Sequence, residues 1–146
     1  MQYETIRFTE DHDIAVLTLN RPEVMNALNT QMRAEITHAV RDAAKSARVI
    51  VLTGEGRAFC SGQDLGDGVS AATADLERTL RDEYEPMVHA IHDSSVPTIA
   101  AVNGTAAGAG ASLALSCDVV IATQSAVFLQ AFSRIGLIPD AGGTYM

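Results

Sequence analysis

The chain has 146 residues, 47% of them hydrophobic and 19% charged, with a net charge of -8. That length suits one domain able to bury roughly two-thirds of its surface, and the composition excludes a disordered polar chain. The acidic balance excludes sequence-independent nucleic-acid binding and attraction to an anionic membrane, since both need clustered Lys and Arg.

In chain order, residues 3–8 and 14–19 flank the polar run Glu10-Asp11-His12-Asp13 and predict a β-hairpin. Asn29 or Thr30 then caps a helix running to about Ala44, with Met32, Ile36, Ala39, Val40 and Ala43 at inward spacing. Residues 49–53 form a continuous apolar run, as expected of a buried parallel strand. Residues 66–73 are small and polar and read as a mobile loop. A second helix is predicted over 75–93, with Leu76, Leu80, Tyr84, Val88 and Ile91 inward and Pro86 kinking or dividing it. Strands over 98–102 and 118–122 flank a helix over 109–116, and residues 128–130 read as a further short strand.

Alternating strands and helices give an α/β layered core, with residues 1–146 as one unit. Residues 94–117 carry no charge and are long enough for a membrane span. Pro97, Asn103 and Gly104 break the run, so a strand followed by a buried helix is expected instead. Residues 1–5 lack the basic start and apolar core of a signal peptide, and the cytoplasm is the expected location.

Two glycine-bearing segments each follow a strand-like run. The first is Gly54-Glu55-Gly56-Arg57-Ala58-Phe59-Cys60-Ser61-Gly62-Gln63-Asp64-Leu65, and the second is Asn103-Gly104-Thr105-Ala106-Ala107-Gly108-Ala109-Gly110. Such turns on neighbouring strands could aim two backbone N–H groups at one oxygen, as an oxyanion hole requires.

Other chemistries fit less well. Gly108-Ala109-Gly110 begins a dinucleotide-binding pattern, but Leu113 stands where its third glycine belongs. Gly110-Ala111-Ser112-Leu113-Ala114 lacks the last glycine of a nucleophile elbow, so Ser112 reads as a packing or helix-start serine. Cys60 and Cys117 are far apart without CxxC spacing, which argues against zinc and for two buried, reduced thiols. A polyanionic ligand would have to be met by Arg21, Arg33, Arg57 or backbone donors.

With these segments, Asn20-Arg21-Pro22-Glu23-Val24-Met25-Asn26-Ala27-Leu28 and the ending Gly136-Leu137-Ile138-Pro139-Asp140-Ala141-Gly142-Gly143-Thr144 complete a pattern. It resembles the crotonase family, also called the enoyl-CoA hydratase/isomerase superfamily, from Tyr3 to Thr144. The ending is most similar to ring-epoxide and enoyl-CoA isomerases of phenylacetate degradation.

The resemblance implies a spiral of ββα units, of which this chain carries the N-terminal part, ahead of a C-terminal helical region. It places oxyanion-hole amides on Gln63 and Ala109, and a catalytic carboxylate on Asp140. It implies that Val24, Ala27, Ala58, Asp64, Leu65, Gly66 and Gly108 line the acyl-CoA site, with Asp64 chiefly holding its turn. The two glutamates of family hydratases fall on Ser112 and Phe132, which cannot activate water. An isomerase using Asp140 alone is therefore expected, kept dry by Phe132, Ile138 and Pro139; the duller reading of Asp140 is a helix N-cap.

No metal or redox cofactor is implied, and coenzyme A arrives with the substrate. Family members form trimers, paired into hexamers. Without the C-terminal helices, Ile135, Leu137 and the 109–115 helix are expected to be partly uncovered. The rival readings are a hydratase, a dehalogenase-like member with Asp140 as nucleophile, and a non-catalytic acyl-CoA-binding or assembly module.

Overall fold

The computed structural model describes residues 2–66 and 75–146, so the loop expected over 66–73 lies outside the described residues from position 67 onward. Strand β1 (Ile6–Asp11) pairs antiparallel with β2 (Ile14–Leu19), Ile6 opposite Leu19. His12 and Asp13 both take positive φ (49° and 61°), the turn that suits the twist of a tight hairpin. The polar turn is thus shorter than expected, and Glu10 and Asp11 belong to the strand.

Helix α1 (Thr30–Ala43) starts where the Asn29 side chain accepts the Met32 N–H at 2.8 Å. Its inward residues Met32, Ile36, Ala39 and Val40 are fully buried. β3 (Val49–Gly54), β5 (Thr98–Val102) and β7 (Val119–Ala122) extend the sheet in parallel, giving the order β1-β2-β3-β5-β7. β7 begins one residue later than expected, because the Asp118 carboxylate instead accepts the Thr98 N–H and hydroxyl at 2.8 and 2.9 Å.

The sequence patterns did not separate two short strands inside the glycine segments, β4 (Ala58–Cys60) and β6 (Thr105–Ala107). With β8 (Phe128–Leu129) they form a second parallel sheet, β4-β6-β8. Each pass lays one long strand in the first sheet and one short strand in the second. Helices α2 (Leu76–Thr79) and α3 (Glu85–His92) follow the first pass, and α4 (Ala109–Leu115) follows the next. This is the ββα spiral that the resemblance implied.

Between α2 and α3 the chain stays helical through a π-turn, Leu80–Tyr84, closed by the Glu85 N–H on the Leu80 carbonyl. Pro86 has no N–H to donate and its ring crowds the carbonyl one turn back, so the helix widens there instead of breaking. The 94–117 segment resolves into β5, β6 and α4. Among the described residues no helix is long and apolar enough to cross a membrane.

The expected uncovered helix is a correction. Ala109 through Ala114 are buried, because α4 packs on β4, β5, β6 and β7 while the 140–143 turn closes over Ser112. Leu115 and Leu137 are partly exposed, and the side chain of Ile135 lies outside the described residues. The exposed apolar residues cluster instead on β7 and around β8, at Val119, Val120, Ile121, Val127, Phe128 and Leu129.

One buried carboxylate ties the N-terminal segment to α1. Glu35 accepts the N–H groups of Glu4 and Thr5 (2.9 and 2.8 Å), the Thr5 hydroxyl (2.5 Å) and the Gln31 amide (2.8 Å). Burial alone would raise its pKa, but these donors together hold it below the usual glutamate value. A depressed folded-state pKa adds stability above the unfolded value, and that stability is lost as pH falls through the folded one. Glu35→Gln is expected to cost about 1.5–3 kcal/mol at neutral pH, the range for hydrogen bonds to a charged group. The deficit should shrink in acid, as urea melts of both proteins between pH 7 and 3 would show.

Candidate active site

The two glycine segments meet where β4 and β6 end. A Cβ on Gly62, whose φ is +96°, would lie 2.7 Å from the Ala107 carbonyl oxygen and 3.4 Å from the Ala109 nitrogen. A Cβ on Gly110 would lie 2.3 Å from the Cys60 carbonyl oxygen. Only a hydrogen fits at either place. Gly108 (φ 51°, ψ -125°) then turns the chain from β6 into α4.

Backbone bonding orients the two expected donors. The Leu28 N–H binds the Gly62 carbonyl at 2.7 Å, and the Leu28 carbonyl accepts the Asp64 N–H at 3.1 Å. This isolated parallel bridge holds the Gln63 peptide on both sides and turns its own N–H away from Leu28. Ala109 is the first residue of α4, where an N–H has no partner within the helix. Among the described residues, neither the Gln63 nor the Ala109 N–H has an acceptor. Ala109 is buried and Gln63 is exposed, and two unpaired donors on touching turns match the arrangement that an oxyanion hole requires.

Asp140 is half-buried in a cleft of about 620 Å³ between the α2–α3 segment and residues 140–146. Leu80, Tyr84, Val88, His92 and Tyr145 line that cleft. Burial raises the Asp140 pKa above the usual aspartate value, with its own backbone N–H partly opposing the shift. The Gly143 N–H binds the Asp140 carbonyl at 2.8 Å in a turn. The expected shield is partly a correction. Phe132 is buried, but Ile138 is 81% exposed, because the extended segment before Asp140 carries it out to solvent.

Ser112 is fully buried, its hydroxyl 3.4 Å from the Asp140 carbonyl oxygen and 2.9 Å from where a Gly143 Cβ would lie. Phe132 closes over Gly108, with its Cζ 3.9 Å from the position of an added Cβ. A second groove, of about 540 Å³ between α1 and the α2–α3 segment, is lined by His38, Arg41, Lys45 and Asp82 and holds none of the expected site residues.

The expected entrance residues fall into two joined loops. Val24 is exposed in a short 3-10 turn (Pro22–Val24), and Ala27 is buried just after it. The Ser61 N–H and hydroxyl bind the Met25 and Val24 carbonyls, and Leu65 and Gly66, both exposed, follow on the same loop as Ser61. Ala58 is buried beneath, its carbonyl accepting from Asn26. Asp64 binds Arg21 at 2.7 Å and the Gly66 N–H at 2.8 Å. Burial would raise its pKa, but the Arg21 hydrogen bond, the Gly66 N–H and the charges of Arg21 and Arg33 hold it below the usual value.

The arginines need a correction. Arg33 is fully buried and so does not meet a polyanion; Arg21 binds Asp64 and the Ala27 carbonyl through Nη1 and is partly exposed, and Arg57 is exposed. Both cysteines are buried, and burial pushes each thiol up to about 12, as expected of inert packing residues.

Two asparagines escaped the sequence patterns. Asn26, buried at φ +57°, donates to the Glu55, Ala58 and Phe59 carbonyls, and Asn103 donates to Gly56. Their only signal was an amide side chain in a tight turn.

Comparison with known proteins agrees with this geometry. Residues 9–146 match the family model described as enoyl-CoA hydratase/isomerase. A Rhodobacter capsulatus protein named "Probable enoyl-CoA hydratase" is 63% identical over 99% of this chain and 56% of its own length. The 1,2-epoxyphenylacetyl-CoA isomerase of Escherichia coli is 45% identical over 91% of this chain and 53% of its own. The crystal structure of an enoyl-CoA hydratase from Polaromonas sp. JS666 superposes with a TM-score of 0.87 at 38% identity, covering 96% of this chain and 56% of that one. The chain thus spans about half the length of the curated relatives it matches. Touching glycine turns, a ββα spiral and this breadth of similarity have one explanation: the chain belongs to the enoyl-CoA hydratase/isomerase family, and its fold is the N-terminal part of the crotonase fold.

Proposed function

We propose that the protein is an acyl-CoA isomerase, moving a proton and a double bond in an unsaturated or ring-derived thioester. The observation that carries this is what stands at the two positions matching the hydratase glutamates. Ser112 is sealed under the 140–143 turn and Phe132 is apolar, which leaves Asp140 as the carboxylate to do the chemistry.

The thioester carbonyl accepts from the Gln63 and Ala109 N–H groups. Asp140, as carboxylate, takes a proton from one carbon, and the electron pair left behind flows into the carbonyl to form an enolate. The same carboxyl returns the proton at another carbon as the enolate collapses, so no activated water is required. A homotrimer, paired into hexamers, in the cytoplasm completes the proposal by resemblance, and sedimentation tests that assembly.

Two assays on the protein test the reaction. In deuterated water, an unsaturated acyl-CoA is expected to gain label at its α- or γ-carbon, whereas nucleophilic attack on an aryl ring exchanges no such proton. Crotonyl-CoA hydration is expected to be barely detectable. Robust hydration that survives in Asp140→Asn would overturn the assignment, and tight acyl-CoA binding without exchange would favour a binding module.

A further inference from the structure

We propose that Arg33 and Tyr84 are positioning residues for the oxyanion-hole donor and act through the side chain of Gln63; this rests on the oxyanion-hole reading above. The Leu28 bridge holds the backbone on either side of Gln63. The Gln63 side chain adds a second restraint on the same peptide. Its Oε1 accepts the Tyr84 hydroxyl at 2.5 Å and an Arg33 N–H at 3.1 Å.

The same Arg33 nitrogen donates to the Leu28 carbonyl at 2.6 Å, the oxygen that also receives the Asp64 N–H. One guanidinium therefore touches the bridge that holds the Gln63 peptide and the side chain that orients it.

Packing alone does not call for an arginine here. Arg33 is 2% exposed on α1, and burying a guanidinium costs several kcal/mol unless its charge is matched. Glu83 matches it at 2.6 and 3.0 Å, and the guanidinium stacks 4.8 Å from the centre of the Tyr84 ring. Glu83 and Tyr84 both come from the π-turn, so the widened turn that accommodates Pro86 also delivers this pair to the oxyanion turn. Tyr84 lines the Asp140 cleft as well, which links the acyl wall to the donor. Small displacements of a donor are expensive, since misplacement by about 1 Å can cost a hundredfold.

Removing Arg33 would strand Glu83, so the test uses Tyr84→Phe, which keeps the ring and deletes one hydroxyl. The first readout is the infrared stretch of butyryl-CoA carrying carbon-13 at its carbonyl, bound to the protein. The wild type is expected to shift this band to lower frequency, and Tyr84→Phe to lose part of that shift. The second readout is turnover: kcat should fall about tenfold with KM within about twofold, a fraction of the loss for deleting a donor outright. In a Gln63→Ala background, the same Tyr84→Phe change should cost less than about twofold, because its route to the donor is gone. A full shift and full kcat in Tyr84→Phe overturns the proposal. So does an equal loss in both backgrounds, which would mean that Tyr84 acts on the substrate itself. Absence of any shift in the wild type overturns the oxyanion-hole reading, and the proposal with it.

Discussion

Asp140→Asn is expected to lower the isomerase rate by at least about a hundredfold, within the usual range for losing a general base and equivalent to about 2.7 kcal/mol of barrier. Asparagine keeps the size and the hydrogen-bonding edge of the side chain, so the cleft should still bind an acyl-CoA with little change in affinity. What disappears is the group that accepts the proton. The wild-type rate should fall on the acid side through a pKa above the usual aspartate value, because burial disfavours the carboxylate. That limb should be absent from whatever activity the variant retains.

Stability should move the other way. A carboxyl whose folded-state pKa is raised contributes stability below its unfolded value, and this is lost as pH rises through the folded one. At neutral pH the ionised Asp140 is therefore a cost to the fold, and Asp140→Asn should melt at or above the wild-type temperature. A variant with near-normal turnover, measured by proton exchange at saturating substrate, would end the single-carboxylate mechanism.

Gly110→Ala is expected to be the most damaging small substitution at the site. Helix propensity argues for the change, since alanine is favoured over glycine by about 1 kcal/mol in a helix interior. Sterics argue against it more strongly. The new methyl would sit 2.3 Å from the Cys60 carbonyl oxygen and 2.8 Å from its carbonyl carbon, and backbone cannot swing aside as a side chain can. Overpacking of this kind typically costs about 1–3 kcal/mol. Set against the helix-propensity gain, the net should be a loss of stability of up to about 2 kcal/mol.

The relief must open α4 away from β4, which carries the Ala109 N–H away from the Gln63 N–H. Activity should then fall by about a hundredfold or more, comparable to deleting an oxyanion-hole donor. Gly136→Ala is the control. Nothing lies within 4 Å of its added methyl, although φ is +74°, so strain of about 1 kcal/mol is expected with turnover unchanged. Thermal melts and exchange rates on both variants separate the two effects. Equal turnover losses would show that proximity of β4 and α4 is not what places the donors.

Much of the scaffold was legible because local patterns and the final environment agree. The spacing of Met32, Ile36, Ala39 and Val40 suits only a helix with one buried face, and Asn29 marks its start. The unbroken apolar runs behind β3 and β5 mark central parallel strands, whose one face is buried and whose other face is half-buried. β4 and β6 were not legible, because each is three residues long and sits inside a glycine-rich stretch that reads as turn. The π-turn was half legible. Pro86 announces a disturbance, but whether a helix bends, breaks or widens depends on what is packed against it.

By itself, the sequence determined the two glycine segments, the acidic residue at Asp140 and the absence of carboxylates at positions 112 and 132, all set by which side chains the chain carries. Only the tertiary structure decided that Arg33 is internal and that its partners are Glu83, Tyr84 and Gln63. The same holds for α4, which is covered while β7 is exposed. The physical reason is one of range. Backbone preference and periodicity act over a few neighbouring residues, whereas a buried charge is stable only if partners about 50 positions away arrive at hydrogen-bond distance.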